Sequence, residues 1–194
     1  MEIDVVLWQQ KYMQAFIPPP QKIPFYIRLG IWFAERTARK EMLVGKLLAW
    51  YPRAAISSGI LESLIAHHEP DIDARMLKLV RLQASYAVAC PFCIDMNWRV
   101  ETTHDLTPDE IAAMRGQIDP QAVSTLTPRE RIALEYTRRI SQSPLKFPQP
   151  LIDQLAANFS PREIVILATT AAQVNYWARL IQALGVPTVG FTNT

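Results

Sequence analysis

The sequence predicts an all-α protein, a helical bundle, on three observations. Apolar residues recur at three- and four-residue spacing along almost the whole chain, the period of a helix with one buried face. Alternating β-branched runs between glycine-rich turns, the mark of strands, do not occur in it. One phrase also returns three times: Leu106-Thr107-Pro108-Asp109-Glu110, Leu126-Thr127-Pro128-Arg129-Glu130 and Phe159-Ser160-Pro161-Arg162-Glu163.

Each phrase reads as a helix start. Thr or Ser at the N-cap accepts a backbone N–H, Pro suits the first helical position, and Glu three residues after the cap reaches back to the N-cap N–H. A hydrophobic staple fits two of them, Leu106 with Ile111 and Phe159 with Ile164. With these starts, helices are expected at roughly 2–16, 24–38, 40–50, 53–66, 72–89, 91–104, 108–116, 128–142, 148–158 and 161–184. Trp8, Tyr12 and Phe16, at four-residue steps, suit either a stripe facing the chain's own core or an arm packed on a neighbouring subunit.

Composition narrows the function classes. The chain has 194 residues, nearly half apolar and a fifth charged, which suits a globular domain with a sizeable core. Its formal charge is +2, and Lys and Arg are spread out instead of gathered in a block that would track a phosphate backbone, so nucleic acid is not an expected partner. The apolar stretch 23–34 is too short to span a bilayer and contains Arg28, so no membrane is expected either. Glu2 and Asp4 stand where a signal peptide would be basic, and a cytoplasmic location is expected.

In a reducing compartment, two cysteines three apart are a poor structural staple, which turns attention to Cys90-Pro91-Phe92-Cys93. Laid over the phrases above, Pro91 takes the first helical position, Cys90 becomes the N-cap and Cys93 the third helical residue. Both sulfurs then lie near unpaired backbone N–H groups that favour a thiolate. The same spacing puts the two Cα atoms about 5–6 Å apart, where an unstrained disulfide closes. Spacing alone leaves open a redox pair, a zinc site and two buried small side chains. Zinc lacks partners. His104 lies about 16 Å beyond Cys93 along one helix, and the adjacent His67 and His68 diverge by about 100°.

Lys78-Leu79-Val80-Arg81-Leu82 through Cys90-Pro91-Phe92-Cys93-Ile94-Asp95-Met96-Asn97 resembles the carboxymuconolactone decarboxylase and alkylhydroperoxidase D-like family. So do 129–136, 159–165 and Asn175-Tyr176-Trp177-Ala178-Arg179 leading to Leu184-Gly185-Val186-Pro187. The likeness covers roughly 53–187, leaving 1–50 as an N-terminal helical extension of a single domain, 1–194. It implies an all-α bundle of the alkylhydroperoxidase D-like type, homo-oligomers, and an antioxidant peroxidase or disulfide reductase activity with no cofactor, neither metal nor haem. It also implies that Cys93 attacks a small hydroperoxide, Cys90 resolves, and a thiol or dithiol reductant regenerates the pair.

The chain departs from that pattern where the family's proton relay stands. Asn97 replaces a histidine one turn after the second cysteine and Lys78 replaces a glutamate on the preceding helix, while Phe92 stands where the family can carry histidine between the cysteines. Asn97 hydrogen-bonds but is no base. Lys78 either lowers a thiol pKa by charge attraction or points to solvent. Glu62, His67 and His68 are the candidate replacement bases. Asp95 is expected to complement the helix N-terminus, and Asn175 with Arg179 to be structural. Two other functions compete with the redox one: a lyase of the lactone decarboxylase type, and a non-catalytic helical oligomer with its subunit interface in the apolar segment 23–50.

Overall fold

The computed structural model describes residues 15–63, 70–98 and 106–191. These hold nine α-helices, one 3-10 turn and no strand. They fall in two compact units, one built from Met1–Ile65 and Arg179–Gly190, the other from Ala66–Ala178 and Phe191–Thr194.

In the first unit, α1 (Phe25–Ala38) starts after Pro24, whose ring presets the backbone for a helix entry. Arg39, in the left-handed region at φ 53°, terminates it. Ile27 and Ile31 bury one stripe of α1 against Ala49, with Ile23 and Ala55 alongside. α2 (Leu43–Leu48) and α3 (Pro52–Ser63) complete the local packing, α3 touching both other helices. Trp50 Nε1 donates to the Pro18 carbonyl at 2.8 Å, fixing the proline run. Further along the chain Gly185, at φ 64°, carries the Phe16 ring where a side chain would otherwise start, 2.6 Å from the position of a Cβ. Only glycine meets both conditions at once.

The second unit is organised around α4 (Ala74–Ala87), which starts at Asp73, whose carboxylate caps the Met76 N–H at 2.7 Å. Nearly every residue from Met76 to Ser85 is buried, because α4 is apolar on two faces. On one face Leu77 and Val80 join Ala133, Leu151, Leu155 and Leu167. On the other, Leu79 and Leu82 join Met114, Val123, Leu126 and Leu134. The partners come from α6 (Pro108–Met114), the 3-10 turn Pro120–Ala122 with the segment after it, α7 (Pro128–Ile140), α8 (Gln149–Asn158) and α9 (Pro161–Ala183). α9 is apolar and long enough to cross a bilayer by composition. In this unit its Ile166, Leu167 and Ala171 are core residues.

All three expected capping boxes form. Thr107 and Glu110, Thr127 and Glu130, and Ser160 and Glu163 exchange side-chain and backbone hydrogen bonds at 2.7–3.3 Å. The expected staple pairs share their clusters as well, Leu106 with Ile111 and Phe159 with Ile164. Other boundaries differ. The helix expected over 91–104 is α5 (Pro91–Asn97), capped at Trp98, with 99–105 outside the described residues. The helix expected over 40–50 is shorter, since Met42 is non-helical at φ −110° and ψ 80°. The helix expected over 2–16 lies outside the described residues up to 14, and residues 15–17 are not helical.

Candidate redox site

The chain passes from α4 to α5 in a turn that leaves almost no loop. Ala89 takes the left-handed conformation at φ 47°, its N–H donates to Tyr86 O at 3.0 Å, and the Cys90 N–H donates to Ser85 O at 3.2 Å. This is the Schellman arrangement that satisfies the last carbonyls of a helix. Cys90, the residue that closes α4, is also the N-cap that opens α5.

Cys90 and Cys93 are joined by a disulfide, with Cα atoms 5.3 Å apart. The expected capping geometry is present: Cys90 Sγ accepts the Cys93 N–H at 3.2 Å, and Pro91 holds the first helical position. Cys90 is fully buried and Cys93 is 4 % exposed, so Cys93 is the sulfur nearer to solvent. Phe92 is buried between them in sequence.

Asn97, one turn past Cys93, engages both amide hydrogens. One bonds the Ser85 Oγ at 3.1 Å and the other the Cys93 carbonyl at 2.9 Å. Ser85 in turn donates to the Arg81 carbonyl at 2.8 Å. An amide and a hydroxyl thus tie α5 to α4, and neither group takes up a proton near neutral pH. Ser85 was not anticipated from the sequence; its signal is a small polar residue seven after Lys78, two turns on along the same stripe of the helix.

Lys78 does not point to solvent. It is 9 % exposed, on the same stripe of α4 as Ser85 and about 10 Å before it. Glu62 is exposed near the end of α3, in the other unit. His67 and His68 lie outside the described residues. Asp95, expected to serve the helix N-terminus, is instead buried in the second turn and accepts the Phe191 N–H at 2.8 Å. Asn175 pairs with Ser141 Oγ at 3.0 Å, a structural contact as expected but with a different partner. Trp98 Nε1 donates to the Tyr86 hydroxyl at 2.7 Å and pins the end of α5 to that of α4.

Solved structures of the alkylhydroperoxidase D-like type share this all-α fold over nearly the full chain. The debrominase Bmp8, solved as a cysteine-to-alanine variant with 2,3,4-tribromopyrrole, superposes with a TM-score of 0.76 over 93% of this chain and 95% of its own, at 17% identity. An uncharacterized peroxidase-related protein from Ralstonia eutropha JMP134, described as an alkylhydroperoxidase AhpD core, gives 0.73 over 90% and 92% at 15% identity. In sequence, the uncharacterized protein YnjA of Escherichia coli (strain K12) is 24% identical over 177 residues, 90% of this chain and 94% of its own. No protein-family model matches the chain.

Proposed function

We propose that this protein is a dithiol oxidoreductase that reduces small hydroperoxides with Cys93 and Cys90. The observation that carries the reading is the disulfide closed across the first turn of α5 with its Cα atoms 5.3 Å apart, a separation that dithiol and disulfide share without backbone movement.

Cys93 thiolate attacks one peroxide oxygen; the O–O bond breaks and the alkoxide leaves with a proton as the alcohol. The resulting Cys93 sulfenic acid is attacked by the Cys90 thiolate, the S–O bond breaks, and water leaves as the disulfide forms. An external thiol or dithiol then reduces the disulfide. Cys93 is the sulfur nearer to solvent, and displacement there releases Cys90 as a thiolate that the Cys93 N–H stabilises at the N-cap. A reducing compartment such as the cytoplasm supplies the reductant. With Asn97 and Lys78 at the positions where the resemblance implies a proton relay, solvent takes the thiol protons.

Peroxide added to the reduced protein should convert both cysteines to the intramolecular disulfide, seen as a loss of two hydrogens by mass spectrometry. Cys93→Ser should abolish peroxide consumption. Cys90→Ser should stop turnover while accumulating a sulfenate trapped by dimedone. Thiols that stay reduced at millimolar peroxide, or turnover by Cys93→Ser, would sink the proposal.

The near full-length match to a debrominase favours a second reading, in which the same dithiol replaces an aryl bromide by hydrogen, releasing bromide and a proton as the disulfide forms. Bromide released from 2,3,4-tribromopyrrole in step with thiol loss supports it. No bromide release by fully reduced protein removes it.

A further inference from the structure

α5 carries the dithiol on one side and a buried carboxylate on the other. At about 100° per residue, Asp95 lies about 200° around the helix from Cys93 and as far from Asn97. Asn97 turns to Ser85 of α4, so Asp95 occupies the opposite face, which it shares with the buried Phe92 three residues before it. There Asp95, 2 % exposed, accepts the Phe191 N–H at 2.8 Å. The chain leaves the second unit after Ala178 and re-enters it at Phe191. α5 is thus held between two supports of unequal stiffness. On one side stands α4, a 14-residue helix buried along nearly all of Met76–Ser85. On the other is the backbone of Phe191, reached through Pro187–Gly190, a partly exposed stretch without helix in which Gly190 takes φ 80°. Segments of that kind open at lower free energy than a buried helix.

The sulfurs need such an opening. Cys90 is fully buried and Cys93 is 4 % exposed, so a thiol reductant has no open line to the disulfide in the closed molecule. We propose that Asp95 is a positioning residue which, with the Phe191 N–H, forms a latch on the dithiol helix. Closed, the latch holds α5 against α4 and shields the disulfide; its release lets the first turn of α5 move off α4 and admits the reductant. The latch rests on the dithiol reading above and sets how that site is reached. In the open state a reductant thiolate attacks Cys93 Sγ, the S–S bond breaks, Cys90 leaves as a thiolate, and a mixed disulfide forms on Cys93. The second thiol of a dithiol reductant then displaces Cys93; the reductant departs as a disulfide, and Cys90 and Cys93 take up the two protons that it gave.

Stopped-flow reduction of the disulfide by dithiothreitol measures the latch without any peroxide. Phe191→Pro removes the N–H and Asp95→Ala the acceptor. Each should speed reduction roughly ten- to a hundredfold, the worth of one hydrogen bond to a carboxylate. Phe191→Ala keeps the N–H and Asp95→Asn keeps an acceptor oxygen, so both should stay near the wild-type rate. The faster rates should be flat at low urea, because a local opening exposes little surface, whereas reduction through global unfolding climbs steeply with urea. Leu151→Ala, which weakens the core of the same unit, should leave the rate without urea unchanged. Wild-type rates in Phe191→Pro and Asp95→Ala overturn the proposal, and if Asp95→Ala does not fold, Phe191→Pro alone decides. Equal acceleration by Leu151→Ala, or by Phe191→Ala, overturns it too, as does a fast rate that rises with urea as steeply as unfolding does. A wild-type protein that consumes no peroxide would remove the peroxidase reading and leave these rates as they are.

Discussion

Position 97 shows what one side chain settles about the site. Its amide fills both of its donor roles structurally, bridging Ser85 Oγ and the Cys93 carbonyl, and leaves Cys93 without a neighbour that titrates near neutral pH one turn away. A histidine there would bring a group with a pKa of about 6.5 to that distance. Asn97→His should therefore raise the rate of peroxide reduction, and its pH profile should gain an inflection near 6.5 that the wild type lacks. Stopped-flow consumption of peroxide by reduced protein reads both; an unchanged rate and profile would show that position 97 is purely a packing contact. The cysteine pair was legible in the sequence because helix-start grammar is local, and three prolines repeat it elsewhere in the chain, while Asn97 was marked only by the family resemblance. Ser85 was not, since a serine within a helix says nothing of which neighbour it meets. Lys78 was half legible: its place on α4 was clear, but burial of a lysine depends on helices far away in sequence.

The turn joining α4 to α5 places an alanine where glycine is the usual residue. Ala89 sits at φ 47° to let α4 close and α5 open within a single residue. Left-handed backbone costs about 1–2 kcal/mol for a residue with a Cβ. Glycine removes that cost and returns part of it as unfolded-state entropy. Ala89→Gly should thus stabilise the protein by about 0.5–1 kcal/mol, measured as a higher urea midpoint with unchanged slope; a lower midpoint would contradict the turn geometry. Helix ends carried by caps, such as those at Thr107, Thr127 and Ser160, were readable for the same local reason. The ends of α2 and α5 were not, because the apolar periodicity runs on past Leu48 and Asn97 while the backbone does not. The orientation of α1 was unreadable in another way. Apolar residues lie on both of its sides, so periodicity gives a helix but not the stripe that faces the chain's own core.

On the scale of the larger bundle, one arginine joins three helices. Arg75 on α4 donates from Nε to Glu130 Oε1 at 2.7 Å and from Nη2 to Glu110 Oε1 at 2.6 Å. Both glutamates use their second oxygen on the N-cap N–H of their own helix, Thr107 or Thr127. Two capping boxes are thereby locked onto the central helix that leads to the dithiol. Glu110 is 1 % exposed, and burial by itself would push its carboxyl up. Hydrogen bonds from Arg75, the Thr107 N–H and Thr125 outweigh burial and hold it below the usual carboxylate range. A carboxyl depressed in the folded state contributes stability above its unfolded value of about 4.3, and that stability is lost as pH falls through the lower, folded value. Arg75→Ala leaves two buried carboxylates without their guanidinium and should cost about 3 kcal/mol at pH 7. As pH falls below about 4.3 toward the lower, folded value of Glu110, the wild type loses the stability that Arg75 confers, and Arg75→Ala has none of it to lose, so the gap between the two should narrow steadily. Glu110→Gln should likewise flatten the acid limb of the stability curve. Urea unfolding followed from pH 7 to pH 3 measures all three proteins, and a wild-type to Arg75→Ala gap that stays constant across that range would show that the clamp is not coupled to carboxylate charge.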